Sequence, residues 1–147
     1  MENTYPVSDM DMMVTWGDCD PAGISYYPRT FDWFNNGRMD FLSSYHIPYM
    51  DTFHYHGIAV VCLHADCEFK NMVRPEEKVT VRTTLTKLTR SRMNFAYQVL
   101  KSDDIIAAEG ETSHAFIDYQ IGKPFNMKRR FPALWGELMN KWPVFNE

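Results

Sequence analysis

A length of 147 residues is enough for one domain with its own core, and 45% apolar against 23% charged residues is the balance of an ordinary globular chain. A net charge of −4 argues against a nucleic-acid binder, and no apolar run approaches the ~18–20 residues of a membrane span. Cysteines 19, 62 and 67 lack disulfide-like spacing and residues 1–13 lack the apolar run of a signal peptide, so reduced thiols and a cytoplasmic setting are expected.

In chain order, residues 10–16 read as a strand and 18–27 as a loop punctuated by Pro21 and Gly23. Pro28 suits the first turn of a helix, where its missing N–H is no loss. That helix runs to about Tyr45, with Phe31, Phe34, Phe41, Leu42 and Tyr45 at helical spacing and Trp33 beside them. Apolar residues wrap most of its circumference, so it should be enclosed by other structure. Gly37 in mid-helix costs about 1 kcal/mol relative to alanine, which points to close packing there.

Residues 47–57 read as irregular, and almost everything from 58 to 119 as strand. Val79, Val81, Thr83 and Leu85 alternate with Lys78, Thr80, Arg82 and Thr84, and Phe95, Tyr97 and Val99 repeat the pattern. Ser102-Asp103-Asp104 reads as a turn into a last strand over 105–117. Residues 132–141 suit a terminal helix stopped by Pro143. Strand, long helix, then four tightly connected strands predicts an α+β domain. An antiparallel sheet of about five strands should curl around one central helix. One domain is expected over 1–147, its tail from about 120 peripheral.

The segment Trp16-Gly17-Asp18-Cys19-Asp20-Pro21-Ala22-Gly23-Ile24-Ser25-Tyr26-Tyr27-Pro28 carries the chemistry. It resembles the active-site signature of the 4-hydroxybenzoyl-CoA thioesterase family. A looser similarity covers 10–117, with the long helix, the Glu76-Glu77 pair before a strand and an Arg-Ser step at a hairpin. The resemblance implies the hotdog fold, paired protomers with a continuous sheet, and active sites at the protomer interface. It also implies a homo-oligomer, either a dimer or a dimer of dimers (a homotetramer), acting on an acyl-CoA small molecule without a cofactor or metal.

The resemblance places the catalytic carboxylate at Asp20 and an oxyanion donor at Tyr27, beside the N–H groups of the helix start. A carboxylate can act as nucleophile or general base. A thiol leaving group with a pKa of about 8.5, if it is like cysteine, needs little acid help. Asp18 reads as a turn carboxylate. Cys19 lies between two carboxylates that disfavour its thiolate. Arg90, Ser91 and Arg92 fall where the family carries CoA-binding residues, and Lys128-Arg129-Arg130 forms a second basic cluster. Family members that bind a hydroxybenzoyl group place an acidic helix residue where this chain has Asn35, so an aromatic acyl group is a lean only.

Histidines 54, 56, 64 and 114 lack the spacing of a zinc motif, although Cys62, His64 and Asp66 are expected on one strand face. His114 reads as a core or sheet histidine. Two alternatives stay open. One is a non-catalytic acyl-CoA-binding hotdog protein. The other is a hydroxyacyl thioester dehydratase, which would require a histidine that the loop lacks.

Overall fold

The computed structural model describes residues 4–146; the expected domain limits 1 and 147, and the first residues of the segment read for a signal peptide, lie outside them. Strand β1 (Val7–Met13) is followed by a short 3-10 turn at Trp16–Asp18 and the helix α1 (Arg29–Ser44). After a one-turn helix α2 (Tyr49–Thr52) come β2 (Ile58–Phe69), β3 (Lys78–Leu88), β4 (Arg92–Leu100) and β5 (Ile106–Asp118). The chain ends in α3 (Met127–Arg130) and α4 (Pro132–Lys141). The strands form one antiparallel sheet in the order β1-β3-β4-β5-β2. The sheet is open, with β1 and β2 at its edges. No helix among the described residues is long and apolar enough to cross a membrane.

The period-two pattern has its expected result. Val79, Val81, Thr83 and Leu85 of β3 and Met93, Phe95, Tyr97 and Val99 of β4 are buried on one face. Helix α1 lies on that face and buries Trp33, Phe34, Phe41 and Leu42. Phe34 stacks on Tyr97 at 4.4 Å between centroids, and Phe41 meets Phe95 edge-on at 5.5 Å. Pro28 is the residue before the helix rather than its first turn.

The tail expected to be peripheral instead supplies Met127, Leu138 and Trp142, each at most 1% exposed, to the same core. Trp142 reaches Phe41 and Tyr45 of α1, closing an end of the helix that the sheet does not cover. Arg130 pairs with Asp118 at the end of β5 and lies over the rings of Phe125 and Phe131. This pairing holds the Asp118 carboxyl below its usual range, with the Ile121 and Gln120 N–H groups assisting.

Gly37 lets α1 approach the sheet closely. A Cβ there would lie 2.7 Å from Thr83 Oγ1 and 2.8 Å from Val81 Cγ1, both on fully buried β-branched side chains. Gly37→Ala should therefore destabilise the fold by about 1–3 kcal/mol through overpacking, despite the better helix propensity of alanine. Urea unfolding of the two proteins measures this, and an equal or higher midpoint for the variant would show that the contact yields.

Candidate active site

The loop between β1 and α1 is built from its own short-range bonds. Asp18 Oδ2 accepts from the Thr15 N–H and the Thr15 hydroxyl, both at 2.9 Å, which fixes the turn that opens the loop. Asp20 donates its N–H to Ile24 O and accepts from Ala22 N–H at 2.9 Å through Oδ1. Gly23, at φ 79°, closes this turn in the left-handed region that glycine tolerates. Ser25 N–H donates to Val73 O at 2.7 Å and Tyr26 N–H to Asp18 O, so the loop is tied to the chain just beyond β2. Asp20 thus has a turn role through one oxygen, and its Oδ2 accepts nothing from the described residues.

The helix start differs from the expectation of several free donors. The N–H groups of Arg29, Thr30 and Phe31 donate to the carbonyls of Tyr26, Tyr27 and Pro28, tightening the first turn. Pro28 has no N–H. Among the described residues, the Tyr27 N–H donates to nothing, and it sits at the positive end of the α1 dipole. The Tyr27 ring is exposed and packs edge-on against Phe69, 6.3 Å between centroids, so the loop meets the end of β2. Cys19 has a raised pKa, from burial first and then from Asp18 and Asp20, which keeps it a thiol.

The remaining expected residues lie elsewhere. Asn35 is on the exposed face of α1, bordering a shallow depression shared with Thr15, Asp18 and Asp32. Arg90, Ser91 and Arg92 turn the β3–β4 hairpin. Thr89 Oγ1 accepts from the Ser91 and Arg92 N–H groups, and Arg90 O accepts from Met127 N–H. Arg90 and Ser91 share a cleft with Lys128, Trp135 and Phe145, so the two basic clusters of the sequence meet there.

This hairpin is not beside Asp20 within one chain. Ser91 O accepts from Phe116 N–H, whereas the segment that leads to the loop anchor bonds to Ala107 through Lys70 and Asn71. The stretch of β5 between those two points is roughly 30 Å at strand rise. Asp20 and Tyr27 lie at one end of the sheet and the hairpin at the other. Glu76 and Glu77 are structural, exchanging backbone bonds with Val14.

Of the metal candidates, Cys62, His64 and Asp66 do not share a face. An irregularity between Cys62 and His64 shifts the register, so Cys62 pairs with the inward-facing His114 while His64 bonds Asp66 at 3.0 Å on the other side. His114 is 1% exposed and bonds Thr112 Oγ1 at 2.8 Å. Burial, then the Arg38 charge, pushes its pKa down to about 4, and a nearby Val61 carbonyl opposes them.

The sign of the resulting pH effect follows. Below the ordinary value of about 6.5 the unfolded chain takes up a proton that the folded one refuses until about pH 4. Stability should be full above that window and fall across it by on the order of 3 kcal/mol. Unfolding midpoints of the wild type and His114→Gln at pH 7 and pH 4.5 measure this contribution. An identical acid loss in both proteins would contradict it.

Residues 14–134 match the model of the thioesterase-like superfamily. The chain belongs to this superfamily. A protein of Aquifex aeolicus (strain VF5), whose name assigns it provisionally to the esterases, is 32% identical over 104 residues, 71% of this chain and 80% of that protein. A 1,4-dihydroxy-2-naphthoyl-CoA hydrolase of Prochlorococcus marinus subsp. pastoris is 26% identical over 110 residues, 71% of this chain and 73% of its own length. The structure of a DHNA-CoA thioesterase from Staphylococcus aureus superposes with a TM-score of 0.84 at 26% identity, over 92% of this chain and 89% of that one. The sheet and central helix are the hotdog fold of this superfamily, as the sequence led us to expect. The likeness is to the superfamily as a whole, with the 4-hydroxybenzoyl branch not singled out.

Two features go beyond what the sequence showed, although a donor at Tyr27 was expected. The free donor at Tyr27 emerges only because its neighbours bond backwards. A polar chain from Asn35 through Arg38, Tyr97 and Thr112 to His114 links α1 to β4 and β5. Only its first step, Asn35 to Arg38 at helical spacing, could have been read locally.

Proposed function

We propose that this chain is an acyl-CoA thioesterase, hydrolysing an acyl-CoA to the free acid and CoA. The observation that carries the reading is Asp20, with one unengaged oxygen, in a signature loop whose far end presents the unpartnered Tyr27 N–H at the start of α1. Asp20 takes a proton from the attacking water, or attacks the thioester carbonyl itself to give an anhydride that water then cleaves to the free acid and the Asp20 carboxylate. The Tyr27 N–H binds the oxygen as it becomes negative. Collapse of the tetrahedral species expels the CoA thiolate, which takes up a proton from water. The reaction so written needs no cofactor or metal. An aromatic acyl group suits the paired rings of Tyr27 and Phe69, and the Prochlorococcus relative is a hydrolase of an aromatic acyl-CoA.

The geometry also favours a homo-oligomer. From Cys62 to Phe69 the edge strand β2 is largely exposed, with Leu63 at 49% and Phe69 at 51%. Such an edge invites strand addition. A two-fold pairing centred on that half brings Ile58 of the partner subunit opposite Val73, where the active loop is tied. The partner's hairpin then lies beside this protomer's Asp20. Arg90, Ser91, Arg92 and Lys128 would serve the CoA phosphates of the neighbouring site. Association as a dimer follows from this reading, and we propose with it that dimers can pair and that the chain acts on a dissolved small molecule in the cytoplasm.

A thiol-release screen across aryl and alkyl acyl-CoA substrates tests the function. CoA release from at least one group, absent when Asp20 is replaced, is expected. Acyl-CoA binding with no release across the panel would favour a binding protein instead.

A further inference from the structure

One charged side chain has no part in the machinery above. Arg38, on α1 one turn beyond Asn35, is half-buried. Arg29, Arg82 and Arg130 each meet a carboxylate, but Arg38 makes no salt bridge among the described residues. Its Nη1 donates to the Tyr97 hydroxyl and its Nη2 to Asn35 Oδ1, each at 3.0 Å.

A guanidinium donates only, and this fixes the direction of every bond around it. The Tyr97 oxygen must accept from Arg38, which leaves its own hydrogen available to Thr112 Oγ1, 2.6 Å away. Tyr97 is 1% exposed and stacked on Phe34, and burial raises its pKa, which keeps it a neutral acceptor for Arg38. Asn35 must turn its oxygen towards Arg38, which leaves its NH2 group pointing away as a donor.

The outcome is a positive charge and an amide that both present donors; the carboxylates that border Asn35 are engaged elsewhere, Asp18 by Thr15 and Asp32 by Arg29. Two of the five guanidinium hydrogens are used; the others and the Asn35 amide meet no acceptor among the described residues. Side chains on a helix lean towards its N-terminus, so Arg38 and Asn35 reach back along the flank that holds Phe31 and leads to Tyr27. Asn35 is eight residues beyond Tyr27, about 12 Å along the axis, which leaves room for an aryl group between them. A carboxylate at position 35 would have neutralised Arg38 and accepted a hydrogen bond. The asparagine does neither.

We propose that Arg38 and Asn35 form an anion-recognising subsite for the acyl group, selecting acyl-CoA thioesters whose acyl part carries an anionic oxygen, either a second carboxylate or a phenolate. The proposal rests on the acyl-CoA reading of the site and adds its substrate class.

The test compares kcat/KM for para-carboxybenzoyl-CoA, its neutral isostere para-carbamoylbenzoyl-CoA, and benzoyl-CoA. A para-hydroxybenzoyl-CoA arm, followed across pH, separates phenolate from carboxylate recognition. The wild type should prefer an anionic substrate by about tenfold or more, the scale of one charge-assisted bond. Arg38→Met should remove that preference and leave the neutral isostere within about threefold of its wild-type value. Arg38→Lys, which keeps the charge, should retain a reduced preference and covers the case in which the methionine variant does not fold. Asn35→Asp should turn the preference against anions.

Equal turnover of charged and neutral substrates by the wild type would overturn the subsite while leaving the thioesterase intact. An equal loss on both substrates in the Arg38 variants would reduce Arg38 to a support for Tyr97. Release from no thioester at all would remove the thioesterase reading and this proposal with it.

Discussion

Asp20→Asn should lower kcat/KM on any accepted acyl-CoA by about 10²–10⁴-fold, the range for loss of a positioned general base or nucleophile. The substitution is informative because asparagine keeps an oxygen where Asp20 Oδ1 accepts from Ala22 N–H. The turn through Gly23 and the tie to Val73 are then preserved. Only the carboxylate charge and the unengaged oxygen are lost. Thermal unfolding should therefore shift little while turnover collapses.

Asp18→Asn supplies the contrast. Asp18 Oδ2 holds both the N–H and the hydroxyl of Thr15, so its loss should act on the loop's stability more than on the chemical step. If Asp20→Asn retained near-normal turnover, the assignment of the carboxylate would be wrong. Label from heavy-oxygen water then separates the two roles of Asp20. An unlabelled first-turnover product with label in the Asp20 carboxylate means a nucleophile, and activated water instead labels the product and leaves Asp20 unlabelled over repeated cycles.

Complementation between two inactive variants is the second large effect. If the hairpin serves the partner's Asp20, neither Asp20→Asn nor the double variant Arg90→Glu, Arg92→Glu should turn over well by itself. Mixed after subunit exchange, half of the sites in each heterodimer combine a native Asp20 with a native hairpin. Random pairing should then restore roughly a quarter of wild-type activity. No recovery, with exchange confirmed by mass, would mean that loop and hairpin act on different molecules or that the hairpin is not used. The roughly 30 Å that separates them along β5 in one protomer is what makes the expected gain large.

Much of this protein follows from local sequence. The period-two alternation of 78–85 becomes β3, with Val79, Val81 and Thr83 inward, because successive strand residues alternate sides. The aromatic spacing of α1 is kept, although its buried positions share one face and do not wrap its circumference as expected, and 132–141 becomes α4 as read. The Asp20 loop was legible because its turns close over two to four residues, Asp20 to Ala22 and Asp18 to Thr15.

Tertiary structure decided the rest. The break in register between Cys62 and His64 is a property of how β2 pairs with β5, and it dissolved the face expected for Cys62, His64 and Asp66. The burial of Trp142 depended on α1 leaving one end uncovered for the tail to fill. Arg38 and Tyr97 lie 59 residues apart in the chain and meet only because α1 crosses the sheet there. Composition and periodicity record which way a backbone turns and which side it buries. They carry no record of which polar groups meet across the core, because register and packing set that pairing. The turn around Asp20 could thus be read from the chain, whereas the direction in which Asn35 presents its amide could be read only from the fold.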